Sequence, residues 1–347
     1  MFQNFYGLTE QPFGVTPDPR YLYLGTGHRE TLASLFYGLE TNRGFLALIA
    51  RPGMGKTSLL FHLLEKLRSS ARTVFVFQTQ CTSRELMRFM LAELGHDSNE
   101  QDFVRMHEEF NRCLIQEAKA GRRFIVVIDE AQNLEPSVLE TVRLLSDFET
   151  PRAKLLQIIL AGQPELADKL ASPALGQLRQ RISSINGLSP LTADETGKLI
   201  DHRLRVAGYH GNSLFTAQAK ALIAKISEGI PRNINNVCFN ALSLSFAARQ
   251  KMVDAAVVKE VADDLDISRW ITQRESARPS GLGAWPGEPA PSGVEPGLTV
   301  GLDSPDSVTQ SLTPLEAQAY MQQVSRLLKQ REHPIKISSP EDKYPVA

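Results

Sequence analysis

The stretch LALIARPGMGKTSLL, Leu46 to Leu60, decides how this chain is read. It opens with an apolar run of strand length, as expected for a strand covered on both faces. It closes on Thr57–Leu67, where apolar residues recur at helical spacing. Between them lies ARPGMGKT, Ala50 to Thr57. This departs from the phosphate-loop pattern G-x-x-x-x-G-K-[ST] only at its first position. The pattern has a physical logic. Gly53 and Gly55 lack the side chains that would keep backbone N–H groups from wrapping an anion. A helix starting near Thr57 points its N-terminus at that anion. Lys56 stands where a cation bridges the β and γ phosphates, and the Thr57 hydroxyl is a Mg²⁺ ligand. Ala50 reaches positive φ less cheaply than glycine, but a small residue at the end of a strand is expected to let the loop turn. The predicted nucleotide-binding run is Ala50, Arg51, Pro52, Gly53, Met54, Gly55, Lys56, Thr57 and Ser58.

A second signal is FIVVIDEAQN, Phe124 to Asn133. Five apolar residues run into Asp129 and Glu130, at what should be the C-terminal end of a strand. Ligands of open α/β sheets bind outside that end. Asp129 is expected to hold Mg²⁺ through water, and Glu130 to orient and activate the attacking water. Alone this carboxylate pair is weak, but it follows the phosphate loop. In this order, with strands and helices between them, they predict a hydrolase that takes ATP and Mg²⁺.

The organisation around the motifs agrees. Apolar strands are expected at Phe45–Ala50, Thr73–Phe77, Phe124–Ile128 and Leu155–Ala161. Helices are expected at His28–Glu40, Ser83–Leu94, Val104–Ala118 and Ser137–Leu145. That alternation predicts an α/β fold of the P-loop NTPase type with a parallel sheet, over residues 28–189. From about Pro190 only helical patterns follow: Thr192–Val206, Thr216–Ser227, Arg232–Arg249 and Val253–Asp264. They predict a small helical lid domain over 190–270. Residues 1–27 are aromatic- and proline-rich without a period and read as extended. Residues 271–312 are rich in proline and glycine, the composition of a flexible linker. Thr313 and Glu316 open a short amphipathic helix, 313–332, with a capping box, and 333–347 reads as a disordered tail.

Bulk properties narrow the class. Of the 347 residues 42% are hydrophobic, enough for a sizeable core. Lys+Arg 38 against Asp+Glu 39 leaves a net charge of −1, which gives no global pull toward nucleic acid or membrane. Cys81, Cys113 and Cys238 are widely spaced, without the pairing of a disulfide framework or zinc site. The N-terminus lacks the regions of a signal peptide, and no apolar run has membrane-spanning length. A soluble, cytoplasmic protein is expected.

With both motifs placed, the chain resembles AAA+ ATPases of the ExeA-like, or general secretion pathway protein A, family over roughly Met1 to Trp270. The resemblance rests on FYGLTEQPFGVTPDPRYLYLGTGHRETLASLFYGLE, IDEAQNLEPSVLETVRLLSDFET, LLQIILAGQPEL, LRQRI and GIPRNINNVCFNAL. It implies a sensor 1 role for Gln163, contacting the γ-phosphate or the lytic water. It implies an arginine finger at Arg179 or Arg181, acting on a neighbouring subunit's ATP, and hence a homo-oligomer. Arg232, opening a lid helix after Pro231, resembles sensor 2. Phe13 and Tyr21 are expected near the adenine side or in plain core packing. Asp147 stands where family members often carry asparagine. Larger proteins of the secretion branch continue into a membrane helix and a peptidoglycan-binding domain, where this chain turns to proline and glycine.

The client implied is an envelope system: secretion, pilus assembly or exopolysaccharide export. The alternative is a DNA-binding ATPase resembling transposition target-selection proteins, a partner that the net charge does not support. A non-hydrolysing switch would not need Glu130. A helicase would need a second strand-rich motor domain, for which there is no room.

Overall fold

The computed structural model describes residues 2–14, 18–77, 79–96, 102–150 and 153–264. The expected linker, the helix at 313–332 and the tail lie outside the described residues. In chain order the elements are α1 (Phe2–Tyr6), α2 (Thr26–Glu40), β1 (Phe45–Ile49), α3 (Lys56–Leu67), β2 (Ala71–Val76), α4 (Ser83–Glu93) and α5 (Phe103–Lys119). There follow β3 (Arg123–Ile128), α6 (Pro136–Leu145), β4 (Glu149–Thr150), β5 (Ala153–Lys154), β6 (Gln157–Gly162), α7 (Pro164–Ala171), α8 (Gly176–Arg181) and β7 (Ile182–Gly187). The helices α9 (Ala193–Val206), α10 (Ala217–Ile226) and α11 (Pro231–Ala247) come next, and residues 255–264 are helical.

Five strands form a sheet in the order β2-β3-β6-β1-β7, every pairing parallel. Apolar side chains alternate between its faces. Phe124, Val126 and Ile128 pack with Met90, Phe110 and Leu139 on one side, while Ile125 and Val127 join Leu35, Leu59 and Leu63 on the other. Each such side chain, fully withdrawn from water, contributes about 1.5–3 kcal/mol, which explains why both faces of β3 are apolar.

β7 is a strand that the sequence reading omits. ISSING is half polar, and on this edge its residues alternate between intermediate and exposed. It holds its place through backbone pairing to β1 and through Asn186 Nδ2, which donates to Ala47 O at 3.3 Å. The helices α7 and α8 and the two-residue pairing of β4 with β5 are also additions.

The helices after Leu191 enclose a second core of Leu199, Ile200, Leu204, Ile223, Ile234, Val237 and Leu242. Tyr6, Leu8, Phe13 and Tyr21 belong to it. The stretch read as extended thus carries the one-turn α1, and its aromatics are structural. Phe13 meets Phe215 edge-on at 6.0 Å, and the Arg203 guanidinium lies 4.9 Å from the Tyr21 ring centre. Among the described residues, no helix is long and apolar enough to cross a membrane.

Candidate functional site

Parallel register brings the predicted residues to one edge. β1 ends with Ile49 opposite Gly162 of β6, and Ile128 of β3 lies opposite Leu160. The residues that leave these strands are Ala50, Gln163 and Asp129, so the three loops that carry them adjoin.

The phosphate loop turns on its glycines. Gly53 has φ +78° and Gly55 has φ +87°, conformations that L side chains rarely adopt. Ala50 is not among the positive-φ residues. It is buried, donates its N–H to Gly162 O at 3.1 Å, and accepts Lys56 Nζ at 3.1 Å through its carbonyl. Alanine therefore costs the loop nothing in backbone strain. Gly55 precedes α3 directly, so the first N–H groups of that helix open into the loop. Met54 is buried beneath, Ser58 is half-buried on α3, and Arg51 and Pro52 are exposed. Arg51 Nη1 lies 3.7 Å from Glu228 Oε2.

Thr57 Oγ1 donates to Asp129 Oδ2 at 2.6 Å. Burial pushes the Asp129 carboxyl up, and the Thr57 hydrogen bond opposes that. Burial pulls the Lys56 ammonium down, against the attraction of Glu130 and Asp129. Both shifts have one cause: the site keeps water away from groups that a polyanion and a cation would otherwise compensate. A hydroxyl and a buried carboxylate at this separation form an oxygen donor set of the kind Mg²⁺ takes, beside a loop of open N–H groups. The residues present fit magnesium and a nucleotide triphosphate.

Glu130 adopts φ +53°. Its N–H donates to Asp129 Oδ1 at 2.9 Å, and its Oε2 accepts Gln132 Nε2 at 2.6 Å and Gln163 Nε2 at 3.0 Å. The predicted base and sensor 1 residue are thus in contact. Arg232 reaches the loop through its backbone: its N–H donates to Gly53 O at 3.2 Å, and a Cβ on Gly53 would sit 2.8 Å from that of Arg232. Its side chain is exposed.

Arg179 and Arg181 sit apart. Their partners lie at the end of α7 and in the turn after α6, not in the phosphate loop. Arg179 is exposed and donates to Ala171 O at 3.2 Å. Arg181 donates to Ser146 Oγ at 3.0 Å and pairs with Asp147.

Two residues of the site were given no role from sequence. Gln132 follows the carboxylates by two positions in a short 3-10 turn. His28 is buried on α2, and its Nε2 lies 3.1 Å from Met54 O. That carbonyl can only accept, so Nε2 carries the hydrogen. Nδ1 has no partner, and burial pulls the imidazole pKa down. A histidine in the first turn of the expected His28–Glu40 helix, within the quoted N-terminal stretch, was the available signal.

A family model described as an AAA domain matches residues 39–170. General secretion pathway protein A of Aeromonas hydrophila is 39% identical over 254 residues, covering 71% of this chain and 45% of that protein. The chain thus spans less than half the length of this relative. An uncharacterised HTH-type transcriptional regulator of Methanocaldococcus jannaschii is 34% identical over 280 residues, covering 69% of this chain and 66% of that protein. Among solved structures, the Aeropyrum pernix ORC2 protein in its ADPNP–ADP complexes superposes with a TM-score of 0.58 at 13% identity, covering 73% of this chain and 71% of the other. At that identity the likeness is one of fold.

Proposed function

This chain belongs to the AAA+ ATPases related to general secretion pathway protein A, and from that premise we propose that it binds MgATP and hydrolyses it. The observation that carries the reading is the Thr57–Asp129 hydrogen bond, with Lys56 beside it and Glu130 next in sequence. In this reading the N–H groups of Gly53 to Thr57 and Lys56 bind the phosphates. Thr57 and Asp129 hold the metal, which when bound supplies charge to offset that of the phosphates. Glu130 orients water and takes its proton through the free capacity of its carboxylate. Gln163 stands beside Glu130 to sense the γ-phosphate, and Arg232 does so from the helical side.

The Gly53–Arg232 contact supports coupling between the loop and α11, so that nucleotide binding changes the set of the lid. Arg179, exposed on α8, is the better candidate to act on a neighbouring subunit, because Arg181 is already paired within its own chain. The proposed client is an envelope system, by the name of the Aeromonas relative, and the proposed location is the cytoplasm. The name of the Methanocaldococcus relative favours a second reading, a DNA-associated ATPase, without support from the net charge of −1.

Steady-state hydrolysis across a protein concentration series tests the first reading. Magnesium-dependent turnover per subunit that rises with concentration is expected. Absence of turnover at any concentration would contradict it. A salt titration of DNA binding separates the second: binding that weakens steeply with salt would favour it.

A further inference from the structure

The carboxylate read as the base is not isolated. Glu130 sits at φ +53°, a left-handed conformation that is strained for a non-glycine residue. Such a conformation persists where surrounding contacts over-determine it. Here two amides converge on one oxygen, Glu130 Oε2: that of Gln132 at 2.6 Å and that of Gln163 at 3.0 Å. The other end of the Gln132 amide is also engaged, since its Oε1 accepts the backbone N–H of Gln163 at 3.1 Å. One side chain therefore bridges the turn after β3 and the start of α7. Its orientation follows from its partners. Reversed, the amide would set oxygen against a carboxylate and an NH₂ against an N–H.

Gln132 is itself held in place. Lys169 Nζ, from α7, donates to the carbonyls of Gln132 at 2.5 Å and Leu134 at 2.8 Å. A Cβ on Gly162 would come within 2.7 Å of Gln132 Oε1, so the end of β6 leaves just enough room for the amide. These contacts make a closed ring of hydrogen bonds: Glu130 to Gln132, Gln132 to the Gln163 backbone, and the Gln163 side chain back to Glu130.

We propose that Gln132 is a positioning residue that joins Glu130 to Gln163, so that the base and the polar side chain at the tip of β6 move as one unit. The proposal rests on reading Glu130 as the base. A displacement of Gln163 toward a bound phosphate is passed to the carboxylate by two routes, one direct and one through Gln132. Without the Gln132 amide, Glu130 keeps a single donor and the Gln163 N–H loses its acceptor. The direction of the carboxylate is then set by solvent rather than by the sensor loop.

A double-mutant cycle on the full chain tests this. Gln132→Ala is expected to lower kcat about tenfold, the worth of one charge-assisted hydrogen bond, while nucleotide Kd stays within twofold. Gln132→Glu keeps the size and the Oε1 acceptor but replaces the donor with a like charge, and its loss of kcat should be at least as large. In the Gln132→Ala background, Gln163→Ala should cost clearly less than it does in the wild type, because one of its two routes to Glu130 is already gone. Variants with wild-type kcat, or single losses that multiply to about a hundredfold, would overturn the proposal. Glu130→Gln is run alongside. If it keeps normal turnover, the reading of Glu130 as base fails. If it is inactive while the Gln132 variants hydrolyse normally, only the role of Gln132 fails.

Discussion

Thr57 and Asp129 stand 72 residues apart in sequence, and their side chains meet at 2.6 Å. The hydroxyl comes from the first turn of α3 and the carboxylate from the end of β3. Neither motif implies the contact alone; the parallel sheet makes it by setting β6 between β1 and β3. The pair gives the first prediction. Thr57→Ala should leave a buried carboxylate short of one donor, costing about 1–3 kcal/mol of stability without nucleotide. It should also weaken nucleotide binding at least tenfold when magnesium is present. Thermal melts and titrations with and without the metal read both effects. Affinity that ignores both the substitution and magnesium would contradict the assignment.

Gly53 and Ala50 make opposite predictions within one loop. Gly53→Ala forces a side chain onto φ +78° and 2.8 Å from the Arg232 Cβ. It should cost about 1–2 kcal/mol and displace α11 from the loop. Ala50→Gly, which restores the usual pattern, should change nucleotide affinity less than twofold, because Ala50 is not among the positive-φ residues. Isothermal titration of both variants checks the pair. A large gain in affinity for Ala50→Gly would show that the alanine is a handicap after all.

Glu195 links α2 to α9. Its Oε1 accepts the Thr26 N–H at 2.7 Å and hydroxyl at 2.9 Å, and its Oε2 accepts the Thr192 N–H at 3.0 Å. Those hydrogen bonds, the Thr26 and Thr192 backbone donors foremost, hold its carboxyl at about 2 against an ordinary 4.5. The folded value lies below the unfolded one. The stabilisation is therefore complete above about pH 4.5 and is lost as pH falls from there through about 2. Solvent screening at this half-buried site, close to the surface, reduces its worth to about 1 kcal/mol. Glu195→Gln should lower stability by that amount at pH 7 and by almost nothing near pH 2. A difference between wild type and variant that stays constant across this window in denaturant titrations would disprove the linkage.

The two arginines of α8 should separate experimentally. Arg181→Ala breaks the pairing with Asp147 and the hydrogen bond to Ser146, so it should shift the melting temperature while largely preserving turnover. Arg179→Ala should leave the melting temperature unchanged and abolish the rise of turnover with protein concentration. The reverse pattern would assign the finger to Arg181.

Much of this was legible because the motifs are local. LALIARPGMGKTSLL states its own strand, loop and helix, and FIVVIDE its strand and carboxylates. What escaped the reading is non-local. ISSING does not look like a strand because an edge strand needs no continuous apolar run. Phe13 and Tyr21 show no period because they serve a core whose other members follow Leu191. Gln132 has no role legible in the sequence, for its meaning depends on Gln163, which only folding brings near. Asp147 drew notice as a departure from the family pattern, and it pairs with Arg181 as well as Arg143, which is why one candidate finger is occupied within its own chain.

The central claim is that this loop and carboxylate pair turn ATP over. The most direct measurement compares wild type with Glu130→Gln for both nucleotide binding and hydrolysis in the same magnesium buffer. Binding within about threefold of wild type, with turnover reduced at least a hundredfold, is the predicted result. Hydrolysis by Glu130→Gln at the wild-type rate, or failure of the wild-type protein to bind ATP, would contradict it.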